Sequence, residues 1–375
     1  MVRPNIGMEL LLIAQSARIL AQSAIRAGIR AYTIDLFSDS DTRQYAEQCV
    51  TVLPTAEGFD EASLLSWAND FAQSHRRCAI VYGSGIDARP LLVEKLAQIG
   101  TLLGNHSETL DLINNPRNFF PLLNRLGIPY PETHFVQPLQ TEGLIVKPIC
   151  GQGGKGVVFF ANNLIMERDA YFQRFVGSDV FSLLFLAHGR EIQAIGFNTQ
   201  WCAKHDTAQP FLFAGAINRA DLIETQRLAV EHYARALTIE CGLVGLNSLD
   251  FVVENGECLA LEVNPRPSAT MALYDEDFHQ GLLALHLAAC QGNYIETPRQ
   301  TGPVRAMRIV YSPSKLTIPA GFSWPAGCAD IPDANTLIEA GQPLCTVHVR
   351  CENRQDAEIL VKLAENELIL TLYEN

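Results

Sequence analysis

Four residues, Glu254-Asn255-Gly256-Glu257, separate the apolar runs "LNSLDFVV" and "CLALEVNPR", and an Asn-Gly turn between two such runs predicts a β-hairpin. That hairpin constrains what the chain can build, because antiparallel pairing brings Asp250 of the first run towards Glu262 of the second. Glu262 and Asn264 are two residues apart and share a face, while Val263 between them turns to the core. Two carboxylates and an amide oxygen are hard donors of the kind a divalent cation takes when phosphate oxygens complete its shell. In isolation the same residues also read as a solvated rim at a strand end, and spacing does not separate the two readings.

A second feature lies upstream. "GLIVKPI" and "GVVFFA" read as strands, and between them Gly151-Gln152-Gly153-Gly154-Lys155-Gly156 carries four glycines and a lysine, a turn whose backbone N–H groups can approach an anion. It is not a Walker A loop, since Lys155 is followed by Gly156 rather than Ser or Thr and a strand follows where a helix should begin. The expectation is a flexible flap between strands. Lys147, close to the end of the incoming strand, either snorkels to solvent or meets a phosphate.

Composition narrows the class. At 375 residues with 48% hydrophobic and 18% charged side chains, the chain can bury more than one core and is expected to divide into two or three domains. A net charge of -13 with no basic stripe disfavours nucleic-acid binding, whose affinity rests on phosphate contacts. Ten scattered cysteines without a C-x-x-C pair suggest neither a zinc knuckle nor a disulfide framework, so reduced thiols and a cytoplasmic location are expected. The early apolar run "ELLLIA" is interrupted too soon by Arg18 for a signal peptide, and no stretch approaches the roughly twenty apolar residues of a membrane span.

Along residues 9 to 105 the pattern alternates strand ("ELLLIA"), helix ("SARILAQSAIRAG"), strand ("RAYTIDLF"), helix near 60–74, strand ("RCAIVYG") and helix near 88–100, which predicts a parallel sheet in a small α/β domain. The first turn lacks G-x-G-x-x-G, so a dinucleotide enzyme is not expected; Ser16 either caps the helix or holds a substrate oxygen with Arg18, and Gly83-Ser84-Gly85 is a tight turn or a ligand rim. A helix followed by the Gly127-Ile128-Pro129-Tyr130-Pro131 break is expected within 116–138, and amphipathic helices at 222–241 and 278–290. His279 and His286 are seven apart, too far for an i, i+4 metal pair, and are assigned to packing or solvent, while His205-Asp206 carries no assignment. Gln173 to Gly177 reads as an extended hinge or a plain strand.

In chain order, "VKP" with its glycine turn, "QRFVGS", "LDFVV" and "LEVNPRPS" resemble the ATP-grasp superfamily of ATP-dependent carboxylate-amine ligases, over about residues 105–290. The resemblance implies an α/β and α+β chain: a Rossmann-like pre-ATP-grasp domain (1–105), an ATP-grasp domain (106–295, with a lid at about 140–177) and a small β-rich C-terminal domain (296–375). It implies that Lys147 contacts the phosphates of ATP, that Gly151, Gly153, Gly154, Lys155 and Gly156 close over them, and that Gln173, Phe175 and Val176 meet adenine. Asp250, Glu262 and Asn264 would hold Mg2+, as two ions with Mn2+ as a substitute, and Arg266 would stand beside the acyl phosphate. Two positions depart from the pattern: Arg117 stands where many relatives carry a lysine for the phosphates, and Gly177 near where an acid binds ribose.

Small-molecule carboxylate and amine substrates follow from the same resemblance, with an acceptor pocket near Ser16, Arg18, Gly83 to Gly85, Ser268 and Tyr274, and a homodimer as the assembly. The overall pattern is similar to ATP-grasp proteins of one-carbon cofactor pathways, including tyramine-glutamate ligases. The C-terminal stretch from Ala329 resembles the small lobe of biotin carboxylases and carboxyaminoimidazole ribonucleotide synthetases, which keeps a bicarbonate-activating carboxylase open as an alternative. A nucleotide-binding protein without turnover is the third reading.

Overall fold

The computed structural model describes residues 9–55, 58–75, 77–161, 169–177, 179–203, 209–294 and 302–373. His205 and Asp206 lie outside the described residues. The first third alternates strand and helix as the sequence predicts: β1 (Glu9–Ile13), α1 (Arg18–Arg26), β2 (Ala31–Asp35), α2 (Ser40–Tyr45), β3 (Gln48–Thr51), α3 (Glu61–Ser74), β4 (Cys78–Tyr82), α4 (Pro90–Ile99) and β5 (Thr101–Leu102), with α2, β3 and β5 in addition to the expected elements. These strands pair in parallel in the order β3-β2-β1-β4-β5. Leu10 and Leu12 of β1 pack into one core with α1, and Leu11 and Ile13 into another with residues of α3 and α4. A strand buried on both faces has to be apolar throughout, which is why "LLLI" shows no alternation. The winding reverses between β1 and β4, so the loops leaving their carboxyl ends flank a crevice.

Helices α5 (Ser107–Asn114) and α6 (Pro116–Leu126) follow. The second starts with the Asn115 side chain accepting from the Arg117 N–H and stops at Gly127, whose φ of 66° is the left-handed cap that glycine adopts without strain. A four-stranded antiparallel sheet comes next, from β6 (Thr133–His134), β7 (Leu144–Pro148), β8 (Val158–Phe159) and β9 (Ala170–Arg174), in the order β8-β7-β9-β6. The glycine turn joins β7 to β8.

The remaining strands, β10 (Val180–His188), β11 (Glu191–Cys202), β12 (Phe213–Ile217), β13 (Gly245–Glu254), β14 (Glu257–Asn264), β15 (Val304–Tyr311), β16 (Cys328–Ala329) and β17 (Pro343–Cys351), form one eight-stranded sheet in the order β14-β13-β10-β11-β12-β15-β17-β16. The β-rich C-terminal lobe thus extends the sheet that holds the hairpin, through β15 pairing with β12. Helices α7 (Glu224–Cys241), α8 (Gly281–Cys290) and α9 (Arg354–Tyr373) complete the order. Helix α8 starts three residues later than expected because Asp275–Asp277 form a 3-10 turn ahead of it and Phe278 is buried. His279 is exposed, while buried His286 accepts from the Leu246 N–H at 2.9 Å and shares its other ring nitrogen with the Leu103 carbonyl at 3.0 Å, so both histidines serve solvent or packing. The ten cysteines are free thiols, and among the described residues no helix is long and apolar enough to cross a membrane.

Candidate active site

The hairpin forms at the residues that predict it. Asn255 and Gly256 have φ of 51° and 87°, the two successive positive values that a two-residue hairpin turn needs. Across it Asp250 stands opposite Glu262, Leu249 opposite Val263 and Ser248 opposite Asn264, and a bulge follows Asp250. Opposed residues share a face, so Asp250, Glu262 and Asn264 come together while Val263 is buried beside Leu249 and Phe251. Bulges re-aim side chains beside sites, and this one sits at the carboxylate pair. At the turn, Glu254 and Glu257 oppose each other, a repulsion relieved by Arg174, which donates to both carboxylate oxygens of Glu254 at 2.7 and 2.6 Å.

Asp250 is 8% exposed and accepts from Gln200 Nε2 at 3.1 Å and from Asn264 Nδ2 at 3.4 Å. Burial, and then the neighbouring charge of Glu262, push its carboxyl up to about 8. The Asn264 amide oxygen accepts from Arg266 Nη2 at 3.1 Å. Among the described residues no group of three or more His, Cys, Asp or Glu side chains is gathered to hold a metal alone. Two carboxylates and an amide oxygen are hard donors that fit an ion that phosphate oxygens also ligate.

Lys147 faces this pair from the smaller sheet. Its Nζ donates to Gln173 Oε1 at 3.3 Å and lies 5.9 Å from the centre of the Tyr171 ring, its partner across β7 and β9. Burial acts to lower the ammonium, but the Tyr171 phenol, Glu262 and Asp250 together hold it above the usual lysine range. Buried Gln173 donates in turn to Thr133 Oγ1 at 3.0 Å. Beyond it the hinge residue Phe175 meets Phe159 and Phe211 edge to face, with ring centres 5.1 and 5.7 Å away, and Val176 is half-buried. Arg117 lies over the Phe135 ring at 4.9 Å and pairs with Asp169 at 3.2 Å. The resemblance puts it where many relatives carry a lysine for the phosphates; here it pairs with a carboxylate just before β9.

The glycine turn, expected as a loose flap, is docked. Phe213 donates its N–H to the Gly153 carbonyl at 2.9 Å, and a Cβ on Gly154 would sit 1.8 Å from the Phe211 oxygen, an approach only glycine permits. Gly153, Gly154 and Gly156 have φ of 58°, 76° and 78°; Lys155 at the tip is exposed, and Gly151 packs near Pro148. Gln152 Nε2 donates to Asp87 Oδ1 at 2.6 Å, and Arg266 Nε donates to Asp87 Oδ2 at 3.0 Å. Asp87 and Gln200 are neighbours that no motif in the sequence marks, although Asp87 lies in the turn that begins at Gly83-Ser84-Gly85.

Ser16 and Arg18 do something other than either expectation. Helix α1 is capped at Ala17 with no side-chain bond, and Ser16 Oγ and Arg18 Nε both donate to Asp330 Oδ1, at 2.8 and 2.9 Å. The C-terminal lobe brings a carboxylate that outcompetes the helix end. Gly83 and Gly85 let the loops after β1 and β4 lie side by side, since a Cβ would meet Ala14 at 2.8 Å and Gln15 at 2.7 Å. Ser268 bonds Thr270 at 2.8 Å, and Tyr274 donates to Asn198 Oδ1 at 2.7 Å beneath Gly196. Both are engaged within the protein.

Residues 113–270 match the ATP-grasp domain family. An uncharacterized protein of Methanocaldococcus jannaschii is 23% identical over 361 residues, covering 91% of this chain and 88% of its own. Among solved structures, an L-amino acid ligase from Bacillus licheniformis superposes with a TM-score of 0.74 at 15% identity, over 96% of this chain and 97% of that one. The N5-carboxyaminoimidazole synthetase of Staphylococcus aureus, solved with ADP, gives 0.72 at 15% identity over 97% and 99%. The chain therefore carries an ATP-grasp domain and has the ATP-grasp fold, with a Rossmann-like domain before it and a small β-rich lobe after it.

Proposed function

We propose that the protein is an ATP- and magnesium-dependent ligase that activates a substrate carboxylate as an acyl phosphate and joins it to an amine. The observation that carries this reading is the facing of Asp250 and Glu262 on adjacent strands, with Lys147, whose ammonium donates to Gln173 Oε1, on the smaller sheet beside them. Asp250 and Glu262, with the remaining lone pair of the Asn264 oxygen, are the residues to hold the ion; when bound, Mg2+ neutralises phosphate oxygens and keeps the reacting groups in line. Lys147 opposes the remaining phosphate charge, and Gln173, Phe175 and Val176 line the side where adenine would lie. A carboxylate oxygen attacks the γ-phosphorus and ADP leaves. The amine nitrogen then attacks the acyl carbon, loses a proton and displaces phosphate.

Arg266 uses its Nε, Nη1 and Nη2 atoms once each towards Asp87, Pro267 and Asn264, which leaves two of a guanidinium's five N–H bonds for the oxyanion. The docked glycine turn keeps water from the acyl phosphate. The fold shared with an amino acid ligase supports the amine reading, and the one shared with a carboxyaminoimidazole synthetase supports activation of bicarbonate as the second.

ADP release with panels of amino acids, amines and bicarbonate tests both. Amine-dependent turnover supports the ligase, bicarbonate-dependent turnover the carboxylase, and ATP binding without turnover in any panel refutes both. Glu262→Gln should lower kcat roughly 10²-fold with an unchanged circular dichroism spectrum. Near wild-type turnover with magnesium still required would mean that Glu262 does not hold the ion.

A further inference from the structure

We propose that Asp87 is a positioning residue that couples docking of the glycine turn to the orientation of Arg266. Asp87 lies in the turn after β4, is 3% exposed, and its backbone carbonyl accepts from Asn114 Nδ2 at 2.7 Å, so the carboxylate is presented from a fixed base. One oxygen takes the Gln152 amide at 2.6 Å and the other the Arg266 Nε–H at 3.0 Å. The chain of bonds continues from Arg266 to the Asn264 oxygen and from the Asn264 amide to Asp250, so five side chains link the turn to the carboxylate pair.

The partners differ in freedom. Next to Arg266, the Pro265 carbonyl accepts from Asn105 Nδ2 at 2.9 Å and from the Tyr82 hydroxyl at 3.4 Å, which ties that backbone to the ends of β4 and β5. Gln152 sits on a turn whose conformation depends on glycine, and is the member able to leave. When it docks, it removes water from one side of the Asp87–Arg266 pair, and a charge pair strengthens as water leaves. The reverse holds by linkage: an Arg266 held by Asp87 fixes the carboxylate plane that receives Gln152. A lid that closes only when the arginine is aligned would protect an intermediate at the moment it can be used. That catalytic meaning rests on the ligase reading; the coupling does not.

The test reverses the direction of one hydrogen bond. Gln152→Glu sets two carboxylates against each other, and Asp87→Asn leaves an amide that can satisfy only one partner in the right sense. Combined, the new amide donates to the new carboxylate while its oxygen still accepts from Arg266. Hydrogen exchange at the Lys155, Val157 and Phe213 amides, which are bonded to Gln152, Gly154 and Gly153 carbonyls, reports docking in protein without nucleotide. Each single variant should raise exchange roughly tenfold or more, and the double variant should return to within about threefold of wild type. Gln152→Ala, which adds no charge, should raise exchange less and gain nothing from Asp87→Asn.

The Arg266 Nε–H resonance should move in Gln152→Glu and return in the double variant. Additive single effects, unchanged exchange, or an Arg266 signal indifferent to Gln152 would each overturn the coupling. A protein that binds no ATP would still pass or fail this test, so failure of the ligase reading is seen separately in the ADP assay.

Discussion

Replacing Asp250 by Asn should stabilise the protein without metal, and do so in proportion to pH. Its carboxyl is pushed up to about 8 by burial and by Glu262, against about 3.9 in an unfolded chain. The folded state therefore keeps a proton that the unfolded state releases, so stability falls as pH rises from about 4 to about 8 and is level above that. Between pH 5 and pH 8.5 the wild type would lose at most about 4 kcal/mol at 1.36 kcal/mol per pKa unit, and relaxation around the buried group brings the expected loss to about 2 kcal/mol. Asp250→Asn keeps the shape and an oxygen for Gln200 but cannot ionise. Urea denaturation at the two pH values, without metal, should show the advantage of Asp250→Asn over wild type growing by about 2 kcal/mol. With ADP and Mg2+ the order should reverse, because only the wild type gains ligand stabilisation. A variant equally less stable at both pH values would refute the reasoning, since Asp250 would then act through its hydrogen bonds and not as a charge awaiting a cation.

Two further outcomes are expected. Gly154→Ala should weaken ADP·Mg2+ binding in calorimetry by at least about tenfold more than Gly153→Ala: both residues are left-handed, with an alanine cost of about 1 kcal/mol each, but only at Gly154 would the Cβ strike backbone, 1.8 Å from the Phe211 oxygen. Equal effects would mean that the docked turn is not the binding form. His286, lowered to about 4 by burial despite the Leu103 carbonyl, stays neutral in the fold while the unfolded chain protonates near 6.5, so its contribution is lost as pH falls from about 6.5 to 4. The stability difference between wild type and His286→Gln should shrink by up to about 3 kcal/mol over that window, and a difference constant with pH would show that His286 titrates normally.

What could be read from the sequence was local in it. Asn255-Gly256 and its flanking runs set the hairpin, its register and the convergence of Asp250 with Glu262, because a two-residue turn leaves no freedom in pairing. Gly127 and the alternating segments before it were equally legible. The docked state of the glycine turn was not, since it depends on a carbonyl at Phe211 almost sixty residues away. Asp87 is 179 residues from Arg266, and Ser16 is 314 from Asp330. No period or motif relates such pairs; they meet only after three sheets have assembled. Arg117 shows the converse, a plausible cation whose partner, Asp169, follows the same helix-to-strand path by 52 residues.

The pairing of β15 with β12 has a practical consequence. Cutting the chain before Val304 would not release a self-sufficient folded fragment but would bare the backbone donors and acceptors of Phe213–Ile217, including buried Ala214, Ala216 and Ile217. An uncovered edge of that kind recruits other chains. Truncated forms should precipitate or self-associate, and expression of the lobes in isolation would misrepresent the protein.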